Sequence, residues 1–274
     1  KEIIMQETTA RNTKIDLLKG FLIIFVILGH AIPGNVNTVI SRYLIYSFHM
    51  PMFFGISGYL FNTDKTFKPT KYIKRIIIPY VIAALVFFVL NFDFNAGVNA
   101  VGLIKELIFG FSWYHLWYVI SYLVIVFLFT AVKKVPMWIK LIVFLAVFLA
   151  VKINFDQLSN SSNTIVKLFF NAVKPYNFLF FAIGNALRDF EIKKPLVKAL
   201  SVAALILIGI RVYDFYCMEN IYFETFEFLL LNVVLLFLMA AFVKSDVKIR
   251  IKPFEDIGKD SLFFYLYHMV FIIV

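Results

Sequence analysis

The 274-residue chain is 62% hydrophobic and only 16% charged, with 34 phenylalanines and a mean hydropathy of +0.86. An ordinary soluble domain carries roughly a quarter charged residues, so that class is excluded. The net charge of +10 lies mostly in loops beside apolar runs, which points to membrane topology and not to nucleic acid.

Repeated apolar runs of spanning length indicate an all-α, polytopic membrane helix bundle, with the lipid bilayer as its first partner. No alternating ten-residue strands of a β-barrel are present. The single cysteine, Cys217, excludes an intrachain disulfide framework, and no metal site is expected. The polar start, residues 1–14, is too long and mixed for a signal-peptide n-region, so the first apolar run is expected to stay as a helix.

Nine apolar segments follow in chain order, at about 15–33, 40–62, 76–92, 116–132, 137–153, 164–187, 196–213, 223–243 and 261–274. Several are short for a core of about 30 Å, so tilt or local thinning is expected. The last stops at Val274, short of the roughly 20 residues a span needs, so the chain is expected to end mid-helix with residues missing there. The chain begins with Lys1 and not Met, so residues are expected before it too. Residues 98–110 read as a short amphipathic interfacial helix.

With the N-terminus in the cytoplasm, the inner loops and flanks hold 21 of the 27 Lys and Arg. The outer set holds Arg42, Lys105, Lys152, Lys167, Lys174 and Arg211. This asymmetry is a strong orientation signal. No segment looks like a soluble catalytic domain, so residues 1–274 read as one transmembrane domain whose chemistry lies within or beside the helices.

The first segment carries Lys19 near its cytoplasmic end and His30 in its outer half. Eleven residues are close to three full helical turns, so both share one face, roughly 16 Å apart along the axis. Lys19 can snorkel and His30 can cap the helix end near Pro33, yet ionisable groups inside a span default to function. The second segment holds His49, Pro51, Gly55 and Gly58. Pro51 frees a backbone carbonyl near Ser47 and the glycines permit close packing, so this helix can kink and line a cavity. A packing kink with His49 hydrogen-bonded inside the bundle is the competing reading.

Lys71, Lys74 and Arg75 precede Pro79-Tyr80. They fit topology-setting charge, and also a dock for a cytosolic anion. Trp113-Tyr114-His115-Leu116-Trp117-Tyr118 opens the fourth segment. Trp113 and Tyr114 fit an aromatic belt, while His115 and Trp117 are also candidates for contact with a sugar ring. His268 lies a few positions into the last segment, where structural and functional readings stand side by side. The chain lacks a phosphate-binding glycine loop, a His-Glu-x-x-His motif and a Gly-x-Ser-x-Gly elbow. Carboxylates are rare inside the spans, which counts against an ion-coupled transporter.

Together these residues resemble the acyltransferase-three family of integral membrane acyltransferases, especially its stand-alone sugar O-acetylase-like branch. The resemblance rests on five phrases, spread over essentially the whole chain. They are Asp16 with Lys19 and His30; Phe53-Phe54-Gly55-Ile56-Ser57-Gly58-Tyr59-Leu60; Lys74 and Arg75 before Pro79-Tyr80; His115-Leu116-Trp117-Tyr118; and Gly258-Lys259-Asp260-Ser261-Leu262 with Tyr265-Leu266-Tyr267-His268. The family usually has Arg where this chain has Lys19, and typically ten helices where nine are read here. The resemblance implies transfer of an acyl group, usually acetyl, from cytosolic acyl-CoA to a hydroxyl of a surface polysaccharide or lipid-linked glycan, in the cytoplasmic membrane of a bacterium.

On that footing His30 is the expected general base, with His49 beside it in the catalytic set. Lys19, Lys74 and Arg75 are expected to hold the phosphates of acetyl-CoA, the co-substrate. His115, Trp117 and His268 are expected to meet the sugar or polysaccharide acceptor. Ser57, His49 or a backbone amide is the expected oxyanion donor. A transporter or flippase for a lipid-linked sugar, or a non-catalytic assembly subunit, is the alternative.

Overall fold

The computed structural model of the protein describes residues 11–62, 68–91, 115–217 and 221–273, and every regular element within them is helical. Helix α1 (Thr13–Ala31) starts where the Asn12 side chain accepts from the Lys14 N–H at 3.1 Å, and ends at Ile32, whose extended backbone is what a following proline imposes. Helix α2 spans Ile40–Leu60. Then come α3 (Pro69–Tyr72), a π-helical turn (Ile73–Ile77) and α4 (Ile78–Asn91). After the undescribed residues 92–114, α5 (Trp117–Ala131) and α6 (Met137–Ile153) are followed by the short α7 (Phe155–Ser159) and α8 (Thr164–Val173). A 3-10 turn (Pro175–Asn177) leads into α9 (Phe178–Leu187). The chain finishes with α10 (Lys194–Cys217), α11 (Ile221–Lys244), α12 (Lys252–Lys259) and α13 (Ser261–Ile273).

Helices α10 and α11 are 24 residues each and apolar enough to cross a bilayer. At 1.5 Å per residue each reaches about 36 Å. Helices α1 and α2 are nearly as long, at 19 and 21 residues, but each places polar groups inward: Asp16 and Lys19 on one, Ser47 and His49 on the other. Both helices thus combine near-spanning length with polar residues turned into the bundle.

Two expectations need correction. The apolar run 164–187 is not one helix. Pro175 has no N–H to continue the ladder, and Lys174 closes α8 in the left-handed conformation, at φ 44° and ψ 63°. The loop read at 244–259 contains a helix, α12, that sequence reading missed because its charge hides it. Pro253 sits in its first turn, and Lys252 and Lys259 flank Asp256 at 3.1 and 2.8 Å. Their ammonium groups, Lys259 first, hold the Asp256 carboxyl below the usual carboxylate range. The interfacial helix read at 98–110 lies outside the described residues, as do Trp113 and Tyr114.

Helix α9 is buried nearly all round, with Phe178, Leu179, Phe180, Phe181, Gly184 and Leu187 all inside, which marks the centre of the bundle. It crosses α2 at backbone contact. A Cβ on Gly58 would lie 1.9 Å from the Phe181 carbonyl oxygen, and one on Gly184 would lie 2.0 Å from that of Gly55. Lipid offers no hydrophobic drive for helix association, so such close approach is a main source of cohesion. Helix α12 is seated on α1 the same way, since a Cβ on Gly258 would lie 1.7 Å from the Asp16 carbonyl oxygen.

Polar pairs supply the rest. Asn232 of α11 donates Nδ2 to the Ser47 carbonyl oxygen at 2.8 Å, the carbonyl that Pro51 frees four residues earlier. Arg211 of α10 donates Nε and Nη2 to Ser47 Oγ at 3.2 and 3.0 Å, and Nη1 to Glu227. Asp214 sits 3.6 Å from the same guanidinium and accepts from the Tyr43 hydroxyl at 2.6 Å. Carboxylates are therefore present in the bundle, but they surround a buried arginine.

Candidate functional site

All four histidines of the chain converge at one place. His30 and His268 have ring centroids 5.2 Å apart, His115 and His268 5.0 Å, and His30 and His115 6.3 Å. His49 lines a cavity of about 230 Å³ together with His30 and His115. Tyr46 joins the two sides, 6.1 Å from His30 and 5.1 Å from His49 between centroids. His268 is not on the wall of this cavity. It stands behind His30 and His115 and contacts both rings.

Three of the rings are tied to backbone carbonyls. A carbonyl oxygen only accepts, so the nitrogen facing it carries the proton. His49 donates Nδ1–H to Ile45 at 2.6 Å, and His268 donates Nδ1–H to Tyr265 at 2.9 Å. His115 donates Nε2–H to Leu266 at 3.3 Å. Each neutral ring then keeps a lone pair on its other nitrogen. The lone-pair nitrogen of His268, Nε2, is buried without a partner among the described residues. His30 alone has no such tether to a described residue, so both of its nitrogens remain available to the cavity and to His268. The neutral tautomer of His49 makes it an acceptor toward the cavity, which removes it as a ready oxyanion donor.

The same cavity is lined by Trp117, Tyr176 and Asn177, and by two cations that sequence reading passed over, Lys152 and Lys174. The left-handed turn at Lys174 brings its ammonium to 4.4 Å from the Trp117 ring centroid. Lys152 lies 5.0 Å from the Phe228 ring centroid and 3.8 Å from Glu224. A signal for both was present. They are among the six cations that break the inside-positive pattern, and Arg211 is a third.

Lys19 belongs to a second cavity, of about 210 Å³, with Phe53, Ile56, Ser57, Ile76, Tyr118 and Leu262 on its wall. Tyr265 lines both cavities and so stands between them. Its hydroxyl accepts from the Tyr118 N–H at 3.2 Å, and the Tyr118 and Ser57 hydroxyls pair at 2.8 Å. Ser57 is therefore on the Lys19 side, away from the histidines, contrary to its expected place as an oxyanion donor beside them. Lys74 and Arg75 are exposed on the π-helical turn, next to Ile76, which lines the Lys19 cavity. Asp16 does not pair with Lys19. It is held by Arg11, whose Nε and Nη2 donate to it at 2.6 and 2.9 Å, and that bond raises the arginine's pKa above its ordinary value.

The geometry offers neutral imidazoles, one of them untethered, beside a buried space with hydroxyl, amide and ammonium groups. Such a set can take a proton from a hydroxyl and hold a polar substrate. Among the described residues no group of His, Cys, Asp and Glu is arranged to hold a metal ion.

Compared with known proteins, residues 12–274 match a family model described as "Acyltransferase domain". A 57-residue stretch is 46% identical to nodulation protein NolL of Sinorhizobium fredii, covering 18% of this chain and 16% of that protein. The match thus spans about a sixth of that relative's length. No solved structure matches the chain.

Proposed function

The chain belongs to the acyltransferase-three family of membrane proteins, and on that premise we propose that it transfers an acyl group, acetyl in the first instance, from cytosolic acyl-CoA to a hydroxyl of a cell-surface sugar or lipid-linked glycan. One observation carries this reading: three histidines line a single cavity and the fourth, His268, packs behind two of them, on the far side of Tyr265 from the cavity that holds Lys19. The proposed setting is a bundle of about ten helices in the cytoplasmic membrane of a bacterium, with the N-terminus inside.

The Lys19 cavity suits a donor with a charged head and a long, mostly apolar arm. Lys19 supplies the cation, with Lys74 and Arg75 outside it. Phe53, Ile56 and Leu262 supply apolar wall, and Ser57 and Tyr118 supply hydroxyls for the amides of the arm. Tyr265 separates this space from the histidines, so the arm passes it to bring the thioester to His30.

In the His30 cavity, neutral His30 takes the proton of the acceptor hydroxyl as its oxygen bonds to the acyl carbon. The carbon–sulfur bond breaks, and the proton passes from His30 to the departing sulfur, which leaves as a thiol. His268 Nε2 is a buried acceptor without a partner among the described residues, and its ring lies 5.2 Å from that of His30 between centroids. Its proposed role is to accept an N–H from His30 once His30 has taken the proton, orienting the base and stabilising its charged form. His49 presents its second nitrogen as an acceptor for the hydroxyl. Positioned acid–base catalysis of this kind contributes about 10²–10⁴ in rate.

The test is purified protein in lipid nanodiscs with acetyl-CoA and a panel of glycosides, following free thiol and acetylated sugar together. Thiol release that depends on the glycoside, matched by acetyl-ester formation, is the expected result. Failure to bind acetyl-CoA at all would remove the enzyme reading.

A further inference from the structure

The His30 cavity carries two cations and no lining carboxylate. Lys152 and Lys174 both lie on its wall, while every other lining residue is apolar, aromatic, histidine or amide. Lys174 has no acidic partner within 4.0 Å among the described residues. Its ammonium lies over Trp117, an aromatic face that attracts a cation without neutralising it. Lys152 is only loosely matched, at 3.8 Å from a partly exposed Glu224 that also faces Arg211 at 4.0 Å.

A lysine kept uncompensated inside a span is costly, and snorkelling does not account for it here. Lys174 reaches the cavity only because the chain breaks its helix there, at the left-handed turn before Pro175. Beside it, Asn177 is 1% exposed and its Oδ1 has no partner among the described residues. Two ammonium groups and an unpartnered amide oxygen beside a cavity that His30, His49 and His115 also line suit a ligand that carries both an anionic group and hydroxyls.

We propose that the acceptor is an anionic glycan, whose carboxylate or phosphodiester sits on Lys174 and Lys152 while its hydroxyl faces His30. This rests on the acyltransferase reading above and specifies its acceptor. The oxyacid oxygens accept from the two ammonium groups, and Asn177 Oδ1 accepts from a neighbouring hydroxyl. The lysines bind the acceptor and take no part in breaking the thioester. Transfer itself is unchanged: oxygen to acyl carbon, carbon from sulfur, proton by way of His30 to the thiol. A sugar carboxylate and the phosphodiester of a lipid-linked glycan share this chemistry, and the acceptor series below separates them.

The experiment uses the full chain in nanodiscs with acetyl-CoA and three acceptors: a methyl uronate glycoside, its carboxyl-reduced neutral counterpart and a glycosyl phosphodiester. Acetyl-CoA binding is measured on the same preparation. The expected result is kcat/KM at least about tenfold higher for one or both anionic acceptors than for the neutral one, the scale of a charge-assisted hydrogen bond. Lys174→Asn removes the cation and tolerates the left-handed backbone. It is expected to raise KM for the anionic acceptor about ten- to hundredfold with little change in kcat, and so to remove most of the preference for the anionic over the neutral acceptor. Lys174→Arg is expected to restore most of the loss.

Titration of unmodified protein with the uronate, followed by intrinsic tryptophan fluorescence, needs no variant and is expected to show saturable binding that weakens with salt. Intact acetyl-CoA binding with equal use of charged and neutral acceptors would overturn the inference and leave the acyltransferase reading in place. An equal fall in kcat for all acceptors in Lys174→Asn would also overturn it, by assigning Lys174 to the donor. Absence of acetyl-CoA binding would overturn both.

Discussion

His49 Nδ1 stands 2.6 Å from the carbonyl oxygen of Ile45, on its own helix. This contact fixes the proton on Nδ1 and leaves the lone pair on the nitrogen available to the cavity. His49 is thereby an acceptor that can align a hydroxyl. His49→Phe keeps the ring and removes both nitrogens. It is expected to raise KM for the acceptor about tenfold, the value of one hydrogen bond to a polar substrate, with acetyl-CoA affinity unchanged. Steady-state kinetics with the acceptor varied provides the check, and an unaltered KM would return His49 to a packing role.

His268 is expected to act through His30. His268→Leu should lower kcat, while His268→Gln, whose side-chain oxygen can accept an N–H, should retain more of it at equal stability. Equal losses in the two variants would mean that His268 only fills space behind the other rings.

Lys19 lies on the wall of the cavity assigned to the donor. Replacing it with Gln is expected to weaken acetyl-CoA binding about tenfold or more, and Lys19→Arg should preserve it, because a charge-assisted bond to phosphate contributes about 1.5–3 kcal/mol. Isothermal titration with acetyl-CoA and with dephospho-CoA measures this. Equal affinity of wild type and Lys19→Gln would leave Lys19 a snorkelling residue.

Arg211 is 2% exposed and is shared by Ser47, Glu227 and Asp214. Arg211→Met leaves two buried carboxylates without their cation, a loss of about 3–5 kcal/mol. The thermal midpoint should fall by several degrees. Arg211→Met combined with Glu227→Gln and Asp214→Asn should recover much of that fall, which a fluorescence-detected melt can resolve. Activity should fall too, since Arg211 holds Ser47 two residues before His49.

Gly258 meets the backbone of Asp16 so closely that a Cβ would sit 1.7 Å from its carbonyl oxygen. Backbone on both sides leaves nothing to yield, so Gly258→Ala should push α12 off α1. Reduced yield and a lower melting midpoint are expected. Gly209, with nothing within 4 Å of a built Cβ, is the matched control for which Ala should be neutral or stabilising.

Much of this was legible in the sequence because membrane burial writes itself in long apolar runs. The eleven-residue offset placed Lys19 and His30 on one helix face, and Pro51 with two glycines announced a helix that lines a cavity. What was not legible needed a third dimension. The convergence of His30, His115 and His268 depends on helices far apart in the chain, and no spacing encodes it. Lys152 and Lys174 were counted as loop charge because a charge tally ignores where a broken helix aims its side chain. Helix α12 was missed because its apolar stripe is only Phe254 and Ile257 in a short, charged segment, too brief to register among long apolar runs. Asp16 was grouped with Lys19 by spacing, whereas Arg11, before the helix begins, is its partner.

The most direct test is acetyl transfer by His30→Ala at saturating acetyl-CoA and acceptor, beside an acetyl-CoA binding isotherm of the same preparation. The predicted result is a loss of kcat of about 10²–10⁴ with donor affinity retained. Transfer at the wild-type rate by folded His30→Ala would contradict a histidine base in this cavity.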